Sequence, residues 1–250
     1  MLRILAWQNP RRVMATNADK IAVLTGGAGK MGGGICRALE KVGITSAVLD
    51  LDVSRAENAA KALVVDVTDD AACAGAIEEI VKDLGGVDVL VNLAQAYETT
   101  TPVIELTADQ LRRSYETGPI ASLRMMQLCY PHMKARGGGA VINIVSGAGT
   151  QGTPNQAAYG SAKEAIRGIT KAAALEWAKD NIRVNALAPF GGPPENLEKT
   201  PFLKQFVETT PLGRYGDPET EIGHGIAFLA TNTFITGRTL MLDGGIGTFR

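Results

Sequence analysis

Histidine and cysteine are scarce in this sequence. Its 250 residues include two histidines and three cysteines, and Cys36, Cys73 and Cys129 lie far apart with no CxxC pair. This spacing supports neither a zinc site nor a disulfide framework, and we predict that the protein holds no metal. We expect the cysteines to be small buried residues in a reducing cytoplasm. A histidine base is disfavoured as well, because no partner for one is evident.

An excess of charge of one sign is also missing, as is a long apolar run. Lys and Arg number 25 against 26 Asp and Glu, so the formal net charge is -1 and gives no reason to bind nucleic acid or an anionic membrane. No apolar run approaches the roughly 20 residues that span a bilayer. The opening segment is interrupted by Arg3 and is unlike a secretory signal. We therefore expect a cytoplasmic protein with an N-terminal extension over 1–19 and small-molecule partners.

The chain does contain short β-branched runs that alternate with longer alanine-rich segments, a pattern typical of a parallel sheet with crossover helices. Several runs are almost continuously apolar, as expected for strands covered on both faces. The sequence predicts one domain over 20–250, a Rossmann-type doubly wound α/β fold with a seven-stranded parallel sheet and helices on both faces. The predicted strands are 21–25, 46–50, 62–66, 87–93, 140–145, 182–188 and 238–243.

Helical patterns lie between these strands, and Asp69, Thr107 and Asp217 are predicted helix caps. The long irregular segment 190–213 follows the sixth strand. Ligands of doubly wound sheets bind at the carboxyl ends of strands, so this segment is a candidate substrate lid. The predicted helices are 30–42, 70–84, 107–136, 156–180 and 218–230.

The lid segment is rich in apolar side chains. They indicate a hydrophobic or cyclic substrate, although the same residues at helical spacing are equally typical of a core. They are Phe190, Leu197, Phe202, Leu203 and Phe206.

The stretch TGGAGKMGGG follows the first predicted strand and opens the first predicted helix. In this order of strand, turn and helix, backbone N–H groups and the helix dipole face a pyrophosphate. Gly26 and Gly29 permit the tight turn and the close approach. Lys30 invites comparison with an ATP-binding loop, but Leu24 and Met31 stand where that motif needs Gly and Ser or Thr.

An acidic residue ends the second predicted strand. Asp50 lies 24 residues after Gly26, close to the spacing at which a carboxylate accepts from the ribose hydroxyls of adenosine. The same carboxylate would repel a 2′-phosphate, so NAD is favoured over NADP. The alternative is a solvated strand end, and Lys30 close to a phosphate would favour NADP.

Three residues of a second stretch have catalytic chemistry. Ser146 ends the fifth predicted strand, while Tyr159 and Lys163 are four residues apart on one face of the following helix. A free tyrosine titrates near pH 10, and a neighbouring ammonium lowers that pKa by stabilising the phenolate. We therefore predict that Tyr159 exchanges a proton with an alcohol or ketone oxygen that Ser146 orients.

With these residues the sequence resembles the short-chain dehydrogenase/reductase family, in its short-chain branch with a variant glycine motif. The resemblance runs from about 20 to 245. It is carried by TGGAGKMG, Asp50, the Asp–Val pair at 66–67, NLA at 92–94, Ser146 with YGSAK, RVNALAP, PLGRYGDP and TGRTLMLDGG.

The resemblance implies Tyr159 as catalytic acid/base, Lys163 as its pKa partner and a ligand of the nicotinamide ribose, and Ser146 as the donor to the substrate oxygen. It also implies contacts to adenine from Asp66 and Val67, and a homotetramer built through the long helices. The cofactor-binding residues implied together are Gly26, Gly29, Lys30, Met31, Asp50, Leu51, Asp66, Val67, Asn92, Ala94, Tyr159, Lys163 and Pro189.

The sequence departs from the family pattern at several points. Lys30 replaces the middle glycine of TGxxxGxG, although TGxxGxxG fits with Gly26, Gly29 and Gly32. Gly118 stands where the family supplies an active-site Asn that supports a water relay to the lysine.

Two further departures lie at the cofactor cleft. The family's NNAG becomes NLAQ, so that Gln95 replaces its glycine, and PFGGPP places Phe190 and Pro194 on the nicotinamide side. We predict an NAD-dependent oxidoreductase that interconverts a secondary alcohol and a ketone. The alternatives are an NADP-dependent carbonyl reductase and a catalytically weakened nucleotide-binding homologue.

Overall fold

The computed structural model describes residues 19–97, 100–192, 207–208 and 210–249. Seven strands form a single parallel sheet in these segments, in the order β3-β2-β1-β4-β5-β6-β7. The predicted fold class is confirmed. The strands are β1 Lys20–Thr25, β2 Ile44–Asp50, β3 Lys61–Val64, β4 Val89–Asn92, β5 Gly139–Ile144, β6 Ile182–Pro189 and β7 Thr239–Leu242.

Helices cover both faces of the sheet. On one face the helices α2, α4 and α6 bury their apolar side chains against the strands, and on the other face α1 and α7 do so. The α-helices are α1 Lys30–Lys41, α2 Asp70–Leu84, α3 Ala108–Tyr115, α4 Ala121–Ala135, α5 Gly147–Gln151, α6 Ala157–Trp177 and α7 His224–Thr231.

The side chains of adjacent residues in one strand pack on opposite faces of the sheet. Val23 packs into the cluster beneath α2 and α4, whereas Leu24 packs beneath α1 and α7. This is why the strands read as continuous apolar runs. All three cysteines are buried and free, as predicted.

The predicted caps are confirmed. Asp69 accepts from the backbone of Ala72, Thr107 forms a reciprocal capping box with Gln110, and Asp217 caps the turn that precedes α7.

The long helix predicted over 107–136 is interrupted. Between α3 and α4 the chain widens into a π-helical turn, Glu116–Ile120, which contains Gly118 and Pro119. Proline lacks the N–H that continues an α-helical ladder, and glycine removes a side chain from the wide turn. A second π-helical turn, Pro218–Gly223, precedes α7. Within the described segments no helix is both long and apolar enough to cross a bilayer.

Candidate active site

The strand order reverses between β1 and β4, and the segments that follow these two strands meet there. Gly26 has a φ of +68°, and a Cβ atom at this position would lie 2.8 Å from the Cα of Ala94. The Thr25 hydroxyl accepts from the backbone N–H groups of Leu93 and Ala94 at 3.2 and 3.3 Å. A crevice outside the carboxyl ends of strands at such a reversal is the usual ligand site of this architecture.

The start of α1 is free to bind an anion. Gly29 is its N-cap in an extended conformation, and no side chain in the described part of the chain caps the first turn. A Cβ atom on Gly29 would meet no atom of the described residues within 4 Å, whereas Gly32 packs so closely against Gly27 that an added Cβ would clash with its carbonyl oxygen. Lys30 is the first residue of the helix, as predicted, and is exposed. The free N–H groups of this turn and the open space at Gly29 suit a phosphate group.

Asp50 is held in place at the end of β2. Its Oδ2 accepts from the backbone N–H of Ala28 in the glycine turn at 2.9 Å, and its Oδ1 accepts from Leu51 at 2.8 Å. Each carboxylate oxygen keeps a further lone pair for a ligand hydroxyl. The carboxylate is therefore a fixed acceptor rather than a solvated strand end.

A cleft of about 690 Å³ lies between Gly26, Asp50 and Ala94. Its volume falls within the range of small-molecule and cofactor sites. Thr68 donates to the Asp66 carboxylate through both its N–H and its hydroxyl, and these hydrogen bonds lower the pKa of Asp66. The predicted cofactor residues that line the cleft are Gly26, Asp50, Leu51, Asp66, Val67 and Ala94.

Asn92 was also predicted to bind the cofactor, but it lies buried in the core at the end of β4. Its Nδ2 donates to Asn143 Oδ1 at 2.8 Å and to the Ser122 carbonyl at 3.3 Å, and Asn143 donates in turn to Thr170 at 2.9 Å. This network ties β4 and β5 to the helices beneath them. Pro189 ends β6 beside Leu242.

Ser146, Tyr159 and Lys163 come together beyond β5. The Ser146 hydroxyl caps α5, a short helix that the sequence pattern did not indicate, by accepting from Ala148 at 3.1 Å. The Ser146 side chain also lowers the pKa of the Tyr159 phenol. Lys163 Nζ lies 5.5 Å from the centre of the Tyr159 ring and donates to the Ile144 carbonyl at 2.8 Å.

Comparison with known proteins identifies the family. The profile described as "Enoyl-(Acyl carrier protein) reductase" matches residues 27–247. The chain is 34% identical to a 12alpha-hydroxysteroid dehydrogenase of Clostridium sp., with 91% of this chain and 96% of the relative covered. The chain belongs to the short-chain dehydrogenase/reductase family.

Two further relatives agree with this assignment. A trans-4-hydroxycyclohexanecarboxylate dehydrogenase of Sinomonas cyclohexanicum is 36% identical, with 94% of this chain and 95% of the relative covered. The crystal structure of NAD+-bound xylitol dehydrogenase superposes with a TM-score of 0.84 at 31% identity, covering 91% of this chain and 98% of the other. The protein is thus an oxidoreductase of the NAD(P)-dependent short-chain dehydrogenase/reductase type that acts on alcohols or ketones.

The pKa values of Tyr159 and Lys163 differ from those that the sequence predicted. Burial raises the pKa of Tyr159, and the hydrogen bond from Ser146 opposes this only in part. Burial also lowers the pKa of Lys163 to about 7. The predicted lowering of the Tyr159 pKa by Lys163 is therefore wrong for the cofactor-free chain, because loss of water disfavours the charged form of each residue. The neutral pair predominates above neutral pH.

Two features of the dehydrogenase's site were missed by the sequence reading. The Tyr97 ring meets the Tyr159 ring edge-on at 5.2 Å between centroids, and the Tyr97 hydroxyl accepts from Gln156 Nε2 at 2.8 Å. Gln95 packs against Gly118. Gln95 and Gly118 each depart from the family pattern in the sequence, but no sequence signal indicates that the two residues are in contact.

The predicted lid is only partly described. Phe190 stacks on Tyr215 with 4.3 Å between ring centroids and 20° between ring planes. The other lid residues singled out above, Pro194, Leu197, Phe202, Leu203 and Phe206, lie outside the described residues. Among the residues described, no group of three His, Cys, Asp or Glu side chains is arranged to hold a metal ion.

Proposed function

We propose that this dehydrogenase interconverts a secondary alcohol and a ketone with NAD, and that Tyr159 exchanges the proton. The observation that carries the proposal is the meeting of Ser146, Tyr159 and Lys163 beyond β5, at the same edge of the parallel sheet as the cleft lined by Gly26 and Asp50. When bound, the nicotinamide accepts or supplies the hydride. The protein's own groups bind, orient and move the proton.

Tyr159 stands between a hydroxyl donor and an amine. In alcohol oxidation the phenolate form of Tyr159 takes the substrate proton while the Ser146 hydroxyl holds the substrate oxygen. Lys163, whose pKa of about 7 lies close to neutral pH, gains and loses a proton easily in this range. A protonated Lys163 stabilises the phenolate, and in ketone reduction Tyr159 returns the proton to the substrate oxygen.

The choice of NAD rests on Asp50. Its carboxylate lines the cleft and is fixed by the glycine turn, so it can accept from the adenosine ribose hydroxyls. Gly29, Lys30 and Met31 would hold the pyrophosphate through their backbone N–H groups. A 2′-phosphate beside Asp50 would place like charges together, which disfavours NADP.

A ring-containing or otherwise apolar substrate suits the site. Tyr97 presents an aromatic surface beside Tyr159, and the stacked pair of Phe190 and Tyr215 follows β6. Two of the relatives above are named for cyclic alcohols, which supports the same substrate class.

The assembly we propose is a cytoplasmic homotetramer built through the long helices. Exposed apolar side chains on the helices from α3 to α4 support it, namely Leu111, Ile120 and Leu123. Light scattering after size exclusion measures the mass, and a monomer at micromolar concentration would contradict the proposal.

The mechanism is tested with Tyr159→Phe on a panel of cyclic and linear secondary alcohols. Turnover should fall by at least about 100-fold, because acid/base catalysis contributes this much or more. Binding of NADH, followed by its fluorescence, should stay within about 3-fold, a difference of less than 1 kcal/mol. Near-normal turnover in the variant would refute the mechanism. NADH binding without turnover by the wild type across the panel would favour the catalytically weakened homologue.

The cofactor is tested with Asp50→Ala. The wild type should bind NAD more tightly than NADP, and the variant should lose about 10- to 100-fold in NAD affinity, the worth of hydrogen bonds to a charged group. Asp52→Ala is the matched control, since Asp52 is exposed and accepts from the nearby Ser54 N–H. A wild-type preference for NADP would make the protein an NADP-dependent carbonyl reductase instead.

A further inference from the structure

The space beside Gly118 is filled by the side chain of Gln95. A Cβ atom on Gly118 would lie 2.9 Å from Gln95 Nε2, 3.0 Å from Cδ and 3.2 Å from Oε1. These separations are shorter than the optimum for non-bonded contacts, so a side chain at 118 and the Gln95 carboxamide exclude each other. The glycine lets the carboxamide reach this place from the loop after β4.

One end of the carboxamide is hydrogen-bonded to α3, which is hydrogen-bonded in turn to the helix that carries the proposed acid/base. Gln95 Nε2 donates to the carbonyl and the hydroxyl of Ser114 in α3, at 3.4 and 3.3 Å. Ser114 is fully buried and donates its own hydroxyl to the carbonyl of Ala158 at 3.1 Å. Ala158 directly precedes Tyr159 in α6. The hydrogen bonds therefore run from the loop after β4 to the first turn of α6.

The other end of the carboxamide lacks a partner. Gln95 Oε1 is buried and has no hydrogen bond within the described structure. Leaving a buried acceptor unpaired costs about 1–3 kcal/mol, so an apolar side chain would fill the same space at lower cost. Gln95 also lines the cofactor cleft.

We propose that Gln95 is a positioning residue for Tyr159, and that position 118 is glycine because it must admit the Gln95 carboxamide. Gln95 acts through Ser114 and the carbonyl of Ala158. The inference rests on the proposed function in that Tyr159 is taken as the acid/base.

Two single variants remove the carboxamide from its place by different routes. Gln95→Ala deletes it, and Gly118→Ala displaces it by adding the Cβ atom that Gln95 now excludes. Because the displaced group is the end of a flexible side chain, Gly118→Ala should fold. Each variant should lower kcat by about 10- to 100-fold, as a small misplacement of a catalytic group does. NADH affinity should stay within about 3-fold.

The double variants separate positioning from packing. Gln95→Ala with Gly118→Ala should be no slower than either single variant, since both remove the same group. The double variant of Gln95→Ala with Gly118→Asn restores an amide group, now carried by residue 118. It should recover at least about half of the decrease in log kcat that Gln95→Ala causes. Losses that multiply in the first double variant would overturn the proposal, as would a kcat of Gln95→Ala within about 2-fold of the wild type.

An NMR measurement without substrate tests whether Gln95 positions Tyr159 even if Tyr159 is not the acid/base. With [13Cζ]tyrosine, the Tyr159 NMR signal is assigned by its loss in Tyr159→Phe. Gln95→Ala and Gly118→Ala should shift this signal in the same direction, and the double variant of Gln95→Ala with Gly118→Asn should reverse the shift. Gln110→Ala is the matched control, because it removes a glutamine that caps α3. An unchanged Tyr159 signal in both single variants refutes the positioning role, even if Tyr159 proves to be the acid/base.

Discussion

Replacing Lys163 by methionine should change how the stability of the cofactor-free protein depends on pH. Lys163 is 3% exposed, and burial lowers its pKa from 10.5 to about 7. In the unfolded chain the amine returns to its ordinary pKa. Between pH 7 and 10.5 the unfolded state therefore binds more protons than the native state, so the wild type becomes more stable as the pH rises through this window.

The size of the effect follows from the shift. About 3.5 pKa units correspond to about 5 kcal/mol of destabilisation, which is fully present below pH 7 and lost as the pH approaches 10.5. From about pH 6 to pH 9 the free energy of unfolding of the wild type should gain about 3 kcal/mol from this residue alone. Methionine has a similar length and does not titrate. It leaves the Ile144 carbonyl unpaired, but that cost of about 1–3 kcal/mol is independent of pH.

Urea unfolding of the cofactor-free wild type and Lys163→Met, at one protein concentration and at several pH values from about 6 to 9, measures the difference. The unfolding free energies should diverge by about 3 kcal/mol over this range, while other titrating groups cancel because both proteins share them. Lys171→Met, which removes an exposed lysine from the same helix, should retain the wild-type pH dependence. Parallel curves for the wild type and Lys163→Met would refute the reasoning, since they would mean that Lys163 keeps its ordinary pKa in the folded protein.

Two further predictions concern the glycine turn and the serine. Gly26→Ala should lower the free energy of unfolding by at least about 1–2 kcal/mol, because φ is +68° and the Cβ would meet Ala94, whereas Gly29→Ala should leave urea unfolding nearly unchanged and weaken NADH binding in a fluorescence titration. Equal stability of the two variants would contradict this. Ser146→Ala should raise the pKa of Tyr159 further, because its hydrogen bond is what lowers that pKa, and the [13Cζ]tyrosine titration should therefore move to higher pH. A titration that moves to lower pH would show that the hydroxyl stabilises the neutral phenol.

Local signals predicted most of the fold. The apolar runs located all seven strands because strands covered on both faces carry no polar alternation, and Asp69, Thr107 and Asp217 marked helix starts through the hydrogen bonds found in the structure. The π-helical turn was missed because periodicity over 107–136 does not register one extra residue in a turn. Six of the residues predicted to bind the cofactor line one cleft, but the burial of Tyr159 and Lys163 was not predicted.

The site's unforeseen features all depend on contacts between distant segments. The sequence shows that Tyr159 and Lys163 share a helical face, yet only the packed structure shows that both are withdrawn from water. It shows Gln95 and Gly118 as separate departures from a family pattern, and only the crossing of the β4 loop with the π-helical turn makes them one feature. Burial and long-range contact are set by tertiary packing, which local patterns do not encode.

Stability alone gives no reason for a lysine at position 163. Its hydrogen bond to the Ile144 carbonyl stabilises the fold by about 1 kcal/mol, or up to about 3 kcal/mol when the amine is charged. Burying the amine costs about 5 kcal/mol below pH 7, and no carboxylate of the described residues offsets this cost by raising the pKa of Lys163. A methionine or leucine would fill the same space without that cost. Strongly shifted titratable groups in a site are typical of catalysis, and an amine that titrates near neutral pH beside Tyr159 can hold or release a proton where an ordinary lysine stays charged. The same burial that destabilises the free protein therefore gives Lys163 the property that the proposed reaction requires.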